Sequence, residues 1–155
     1  MKSGHSGIQQ QKGRAPGLKA IRDLALFRYR LRKFLRFSES AARNEGVTPL
    51  QHQLLLGVAG FNGKGHATIS ELAEFLQERH NSVVELVARA VQRGLVRKDH
   101  NVSDRRFVYV SLTAQGKVML TNLSKLHRSE IERLRTGLLV RQTTSRLSLA
   151  VRQKR

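Results

Sequence analysis

With 155 residues, 39% of them hydrophobic, the chain can build one core of ordinary domain size but not two. Its 29 Lys+Arg against 11 Asp+Glu give a formal charge of +18, which points to a polyanion partner because neutralising phosphates releases counterions. The absence of cysteine excludes disulfides, thiolate zinc sites and cysteine redox sensing. No apolar run approaches the roughly 18 residues of a membrane helix, so a soluble, cytoplasmic protein with no membrane partner is expected.

Residues 1–17, rich in Gly, Gln and basic side chains, lack apolar periodicity and read as a flexible basic arm. From Leu18 the pattern changes. Leu18, Ile21, Leu24, Phe27, Leu31, Phe34 and Leu35 recur at helical steps with arginines among them, predicting a long amphipathic helix over about 18–44.

Thr48-Pro49-Leu50-Gln51 starts the next helix, with a hydroxyl cap, proline at the first helical position and glutamine reaching back; Leu54, Leu55, Leu56 and Val58 are its expected core. After a glycine loop, Thr68-Ile69-Ser70-Glu71 repeats the capping box ahead of a short helix through Leu76. A break at 77–80 leads to a second stripe, Val83, Val84, Val87, Ala88 and Val91, closed by Gly94. Two short helices across a tight break, over about 68–94, read as a helix-turn-helix.

Leu95 to Lys98 and Phe107 to Leu112 are strand-like runs separated by 99–106, which predicts a hairpin with a basic tip over about 95–112. Thr113 then caps a long helix through Leu134, over about 113–135, with Gly137 as a possible break. Residues 136–155 form a basic C-terminal segment whose capping signals leave helix and partial disorder both open. The fold class is mainly α with a small β-wing: a winged helix-turn-helix core flanked by N- and C-terminal dimerisation helices, whose apolar stripes a second subunit would cover.

Charge and chemistry narrow the function. Between Thr48 and Gly94, Lys64, Arg79, Arg89 and Arg93 balance Glu71, Glu74, Glu78 and Glu85, so the positive excess lies elsewhere. Seven basic residues and no acid fall in 133–155, and four and no acid in 1–20. On the second helix of the pair, His80, Asn81, Ser82, Glu85 and Arg89 lie off the expected buried stripe and are the candidates to enter a DNA groove. Asn and Ser there can pair base edges or phosphates, and Arg89 can reach guanine. Glu85 is out of place: it repels phosphate unless it reads cytosine or the groove-facing register is shifted by one.

His5, His52, His66, His80, His100 and His127 have no metal-ligand spacing and read as isolated surface or capping histidines, so no metal or other cofactor is expected. The glycines of 57–65 fail the phosphate-loop pattern. No nucleophile, base and orienter can be assembled, so the chain does not read as an enzyme. Aromatics, at 5% and mostly at core spacing, offer no stacking platform for RNA.

Ile69 to Leu76, Gln92 to Lys98, and above all Ser103-Asp104-Arg105-Arg106 with Val110-Ser111-Leu112-Thr113-Ala114-Gln115-Gly116 resemble the MarR (multiple antibiotic resistance regulator) family of transcription factors. The resemblance covers about 18–135. It implies a homodimer on a pseudo-palindromic operator in double-stranded DNA, acting as a repressor relieved by a small anionic or phenolic ligand. It also implies a wing in which Arg106 enters the minor groove, Asp104 holds it and Arg105 is a second basic contact. A narrow minor groove concentrates negative potential, which suits arginine there. The charge keeps open another reading, an architectural or nonspecific DNA-binding protein on the same fold.

Overall fold

Two threonines set where the middle of the chain turns helical. In the computed structural model, which describes residues 17–100 and 108–152, with side chains at 17–99 and 108–136, Thr48 and Thr68 each complete a capping box. The Thr48 Oγ1 accepts from the Gln51 amide at 3.1 Å while the Gln51 side chain accepts from the Thr48 amide at 3.0 Å. The Thr68 amide donates to the Glu71 carboxylate at 2.7 Å, and the Glu71 amide to Thr68 Oγ1 at 3.2 Å. These bonds satisfy amides that every helix start leaves open.

The elements in order are α1 (Leu18–Asn44), α2 (Pro49–Gly60), β1 (His66–Thr68), α3 (Ile69–Leu76), α4 (His80–Gln92), β2 (Val96–His100), β3 (Val108–Leu112) and α5 (Ala114–Arg152). β3 is the centre of a three-stranded antiparallel sheet of order β1-β3-β2, with Ala67 opposite Val110 and Arg97 opposite Ser111. Leu54, Leu55 and Val58 of α2, Leu72 of α3, Val83 and Val87 of α4, Val110 of β3 and Leu123 of α5 are buried together. The sheet and the helix pair therefore share one core, with α2 as its floor, and burial of several aliphatic side chains at about 1.5–3 kcal/mol each holds the wing to the helices.

Two tight corners fix the helix-turn-helix. Gln77 ends α3 in the left-handed region (φ 55°). Gly94 (φ +66°) turns the chain from α4 into β2, a conformation glycine adopts without strain. The Arg93 guanidinium donates to Gln51 at 3.1 Å and to the Gly46 carbonyl at 2.6 Å, tying the end of α4 to the α1–α2 corner.

The start of α5 is pinned just as closely. The Thr113 amide donates to the Leu95 carbonyl at 3.2 Å and its hydroxyl to the Gly94 carbonyl at 2.5 Å, while Thr113 Oγ1 accepts from the Gly116 amide at 3.0 Å. Gly116 packs so tightly on Leu95 that a Cβ would fall on the Leu95 carbonyl oxygen.

Four expectations need correction. Leu56 is exposed, because three consecutive leucines cannot all face one side of a helix. Val84 and Val91 of α4 are likewise exposed, and Leu86 and Ala90 are buried in their place. β1, three residues long, was not expected. Gly137 does not break α5, whose backbone continues to Arg152; a single glycine costs a helix only about 1 kcal/mol. The N-terminal arm, apart from Gly17, lies outside the described residues, as do the side chains of 137–155. Among the described residues no helix is long and apolar enough to cross a membrane.

Candidate nucleic-acid interface

α4 has one face sealed and one face open. Val83, Leu86, Val87 and Ala90 are buried, and His80, Asn81, Ser82, Glu85 and Arg89 are exposed on the other side together with Val84. The sealed stripe fixes the rotation of α4 about its axis and so decides which side chains a ligand can meet. Val84, 37% exposed, was assigned to the core from its apolar character; outward, its methyls suit contact with a thymine methyl.

The start of α4 differs from those of α2 and α3. Its N-cap, Arg79, makes no side-chain cap bond, and no acid occupies the first turn, so the first amides and the positive end of the helix dipole remain available to an anion.

Two of the four acids of the helix-turn-helix, Glu71 and Glu85, have partners within the protein. Glu71 caps α3 and also accepts from Asn62 at 3.2 Å; the Thr68 backbone amide, above all, holds its carboxyl below the ordinary value. Glu85 faces Arg89 one turn on at 3.8 Å, both side chains well exposed. Such a pair is worth only about 0.3–0.5 kcal/mol, so a phosphate or base edge can draw Arg89 away. Arg93, by contrast, is committed to Gln51 and Gly46.

At the base of the β2–β3 hairpin, Arg97 donates to Asp99 and to Ser111, each at 3.1 Å, and the Ser111 hydroxyl donates to Asp99 at 2.6 Å. The Ser111 and Arg97 bonds lower the Asp99 pKa. This triangle across the two strands braces the hairpin and was missed in the sequence, because Ser111 lies 14 residues from Arg97 and only the register joins them. The expected wing contacts, Asp104, Arg105 and Arg106, lie outside the described residues.

The histidines are not all isolated. His52 of α2 and His127 of α5 are both buried, with ring centroids 4.9 Å apart. The His127 Nδ1 donates to the Leu123 carbonyl at 2.6 Å, and its Nε2 is hydrogen-bonded to the Ser38 hydroxyl at 2.8 Å. Phe34 and Phe37 of α1 stack edge-on against His127 at 6.0 and 5.4 Å. The cluster joins α1, α2 and α5 where the long helices meet the winged-helix core. Among the described residues no three His, Asp or Glu side chains gather as metal ligands.

Residues 45–106 match the model of the MarR family. The HTH-type transcriptional repressor MdtR of Bacillus subtilis (strain 168) is 34% identical over 74 residues, a match spanning 48% of this chain and 46%, about half, of that relative's length. Among solved structures, AbsC of Streptomyces coelicolor, a MarR family transcriptional regulator, superposes with a TM-score of 0.67 at 20% identity over 88% of this chain and 92% of its own. Sco3205 of the same organism, also a MarR family transcriptional regulator and solved in complex with DNA, gives 0.65 at 18% identity over 90% and 87%. At these identities the likeness concerns the fold. The sequence match across its helix-turn-helix and this shared architecture make the chain similar to MarR family proteins, with a winged helix-turn-helix fold.

Proposed function

We propose that the chain is a sequence-specific, double-stranded DNA-binding transcriptional regulator that acts as a homodimer. The observation that carries this reading is α4: a helix locked in rotation by its buried stripe, uncapped at its start, presenting Asn81, Ser82, Val84 and Arg89 outward beside a braced hairpin. Asn81 and Ser82 at the open helix start contact phosphates or base edges, and Arg106 at the hairpin tip enters the adjacent minor groove, held by Asp104, with Arg105 on the backbone.

The dimer is supported by unspent apolar surface. Ile21, Leu24 and Leu35 of α1 and Val118, Leu126 and Ile131 of α5 are all more than 40% exposed, on the two long helices that pack together away from α4. A second copy would cover them, giving two α4 helices for two half-sites about 34 Å apart. Repression relieved by a small anionic or phenolic ligand follows the family: a ligand favouring another helix separation lowers DNA affinity by its differential binding.

Arg106→Ala tests the reading. It is expected to weaken binding to DNA from the protein's own upstream region by about 1–3 kcal/mol. An unchanged affinity in a fluorescence-anisotropy titration would remove the wing from the interface. A specific observation also favours the architectural reading: the positive excess lies outside the helix-turn-helix, where contacts need not be sequence-specific.

A further inference from the structure

α1 has three sides. Toward its C-terminal end Ala41 and Ala42 are buried in the core. A second side carries the exposed Ile21, Leu24, Leu31 and Leu35, the stripe a partner copy would cover. At about 100° per residue, Arg22, Tyr29, Arg32, Lys33 and Arg36 share the third side, over a length of about 21 Å. All five are exposed, and Tyr29 is 62% exposed.

One acid, Glu39, stands just past the end of this side, seven residues after Arg32. The acids of α1, two against eight basic residues, are engaged elsewhere: Asp23 with Lys19 at 3.2 Å and Glu39 with Arg43 at 3.4 Å. Among the described residues Arg22, Arg32, Lys33 and Arg36 make no ion pair. Like charges at three- and four-residue spacing disfavour a helix, so the row is a cost to the free protein that a polyanion would remove.

The row is also set apart from α4. α1 packs on α2 and α5, while α4 packs on α2, α3 and β2, so α2 stands between the two. The span 48–94, which includes α4, has no net charge, whereas α1 carries a large positive excess.

We infer that this basic side of α1 binds a second segment of double-stranded DNA, so that one dimer engages a duplex through α4 and the wing and holds another through α1. Four cations along a straight helix face match a phosphate backbone, and Tyr29 adds a hydroxyl for the same phosphates. The inference rests on the DNA-binding reading for the first duplex only; the second contact is electrostatic and reads no sequence.

The test uses the full chain bound to a tethered short duplex from its upstream region, then offered a labelled duplex of scrambled sequence. Wild type is expected to capture the second duplex, and capture is expected to fall steeply between about 50 and 200 mM salt. The variant Arg22→Gln/Arg32→Gln/Lys33→Gln/Arg36→Gln is expected to keep its affinity for the tethered duplex within about twofold and to lose capture at least about tenfold, with its circular-dichroism helicity unchanged.

Capture unchanged in the variant overturns the inference, as does no capture by wild type. An equal loss of affinity for the tethered duplex also overturns it, since the face would then belong to the first contact. Vesicles containing phosphatidylglycerol are the parallel probe: wild-type binding to them, with no capture of duplex, would assign the face to anionic lipid and overturn the DNA assignment. If wild type fails to prefer its upstream duplex over the scrambled one while α1-dependent capture persists, the regulator reading fails and this inference stands.

Discussion

Gly116→Ala is expected to destabilise the protein by at least about 3 kcal/mol, a large share of the roughly 5–15 kcal/mol that holds a domain folded. The added methyl lands on the carbonyl oxygen of Leu95, a residue only 2% exposed. That carbonyl also accepts from the Thr113 amide at 3.2 Å, so moving it away also loosens the start of α5. Neither backbone can yield without opening the contact between α5 and the turn at Leu95 that leads into β2. Gly60→Ala is the control: nothing lies within 4 Å of a Cβ there, and its stability is expected to stay within about 1 kcal/mol of wild type. Urea denaturation of the two variants separates the cases, and a Gly116→Ala protein as stable as the control would refute the close packing of α5 on Leu95.

The second large effect is pH-dependent. Burial, with His127 alongside, lowers the His52 pKa from 6.5 to about 4. From α1 the groups facing the pair are Phe34, Phe37 and Ser38, and from α5 the Leu123 carbonyl; none brings a negative charge. Between pH 6.5 and 4 the unfolded chain therefore binds a proton at His52 that the folded protein refuses. Stability falls as pH drops through that window, and above pH 6.5 this group contributes no further change. The full effect is about 3 kcal/mol, from about 1.4 kcal/mol per pKa unit, or roughly 6–12 °C in Tm for a domain of this size. Carboxylates add their own slope below pH 5, so the comparison is with His52→Leu, of similar volume. Thermal melts from pH 7.5 to 4 are expected to show a shallower decline in His52→Leu than in wild type; parallel curves would mean that His52 is not held neutral.

What could be read in advance was local. The Thr48 and Thr68 capping boxes lie within four residues each, and their chemistry names the helix starts. The break at Gln77 and the turn at Gly94 likewise declare themselves in short stretches. α4 was harder because valines stand on both of its sides: Val83 and Val87 are buried while Val84 and Val91 are not, and the small Ala90 completes the core stripe without looking apolar enough to belong to it. Glu85 stays on the exposed side where the sequence places it, and its partner there is Arg89, one turn on.

Features that depend on distant pairing were invisible. β1 has three residues and gains its strand character only from β3, more than 40 positions on. His52 and His127 are 75 positions apart, and no periodicity announces that α2 and α5 cross there. The need for glycine at 116 comes from Leu95, 21 positions earlier in the turn between α4 and β2.

Sequence-specific binding by a dimer through α4 and the wing is tested by a salt-dependent titration of the purified protein against its own upstream DNA and a scrambled fragment of equal length, with stoichiometry measured. One dimer per site is expected, with a preference of at least about 10³-fold for the upstream fragment that persists at physiological salt. Equal affinity for both fragments, vanishing steeply as salt rises, would contradict it and leave charge alone as the basis of binding.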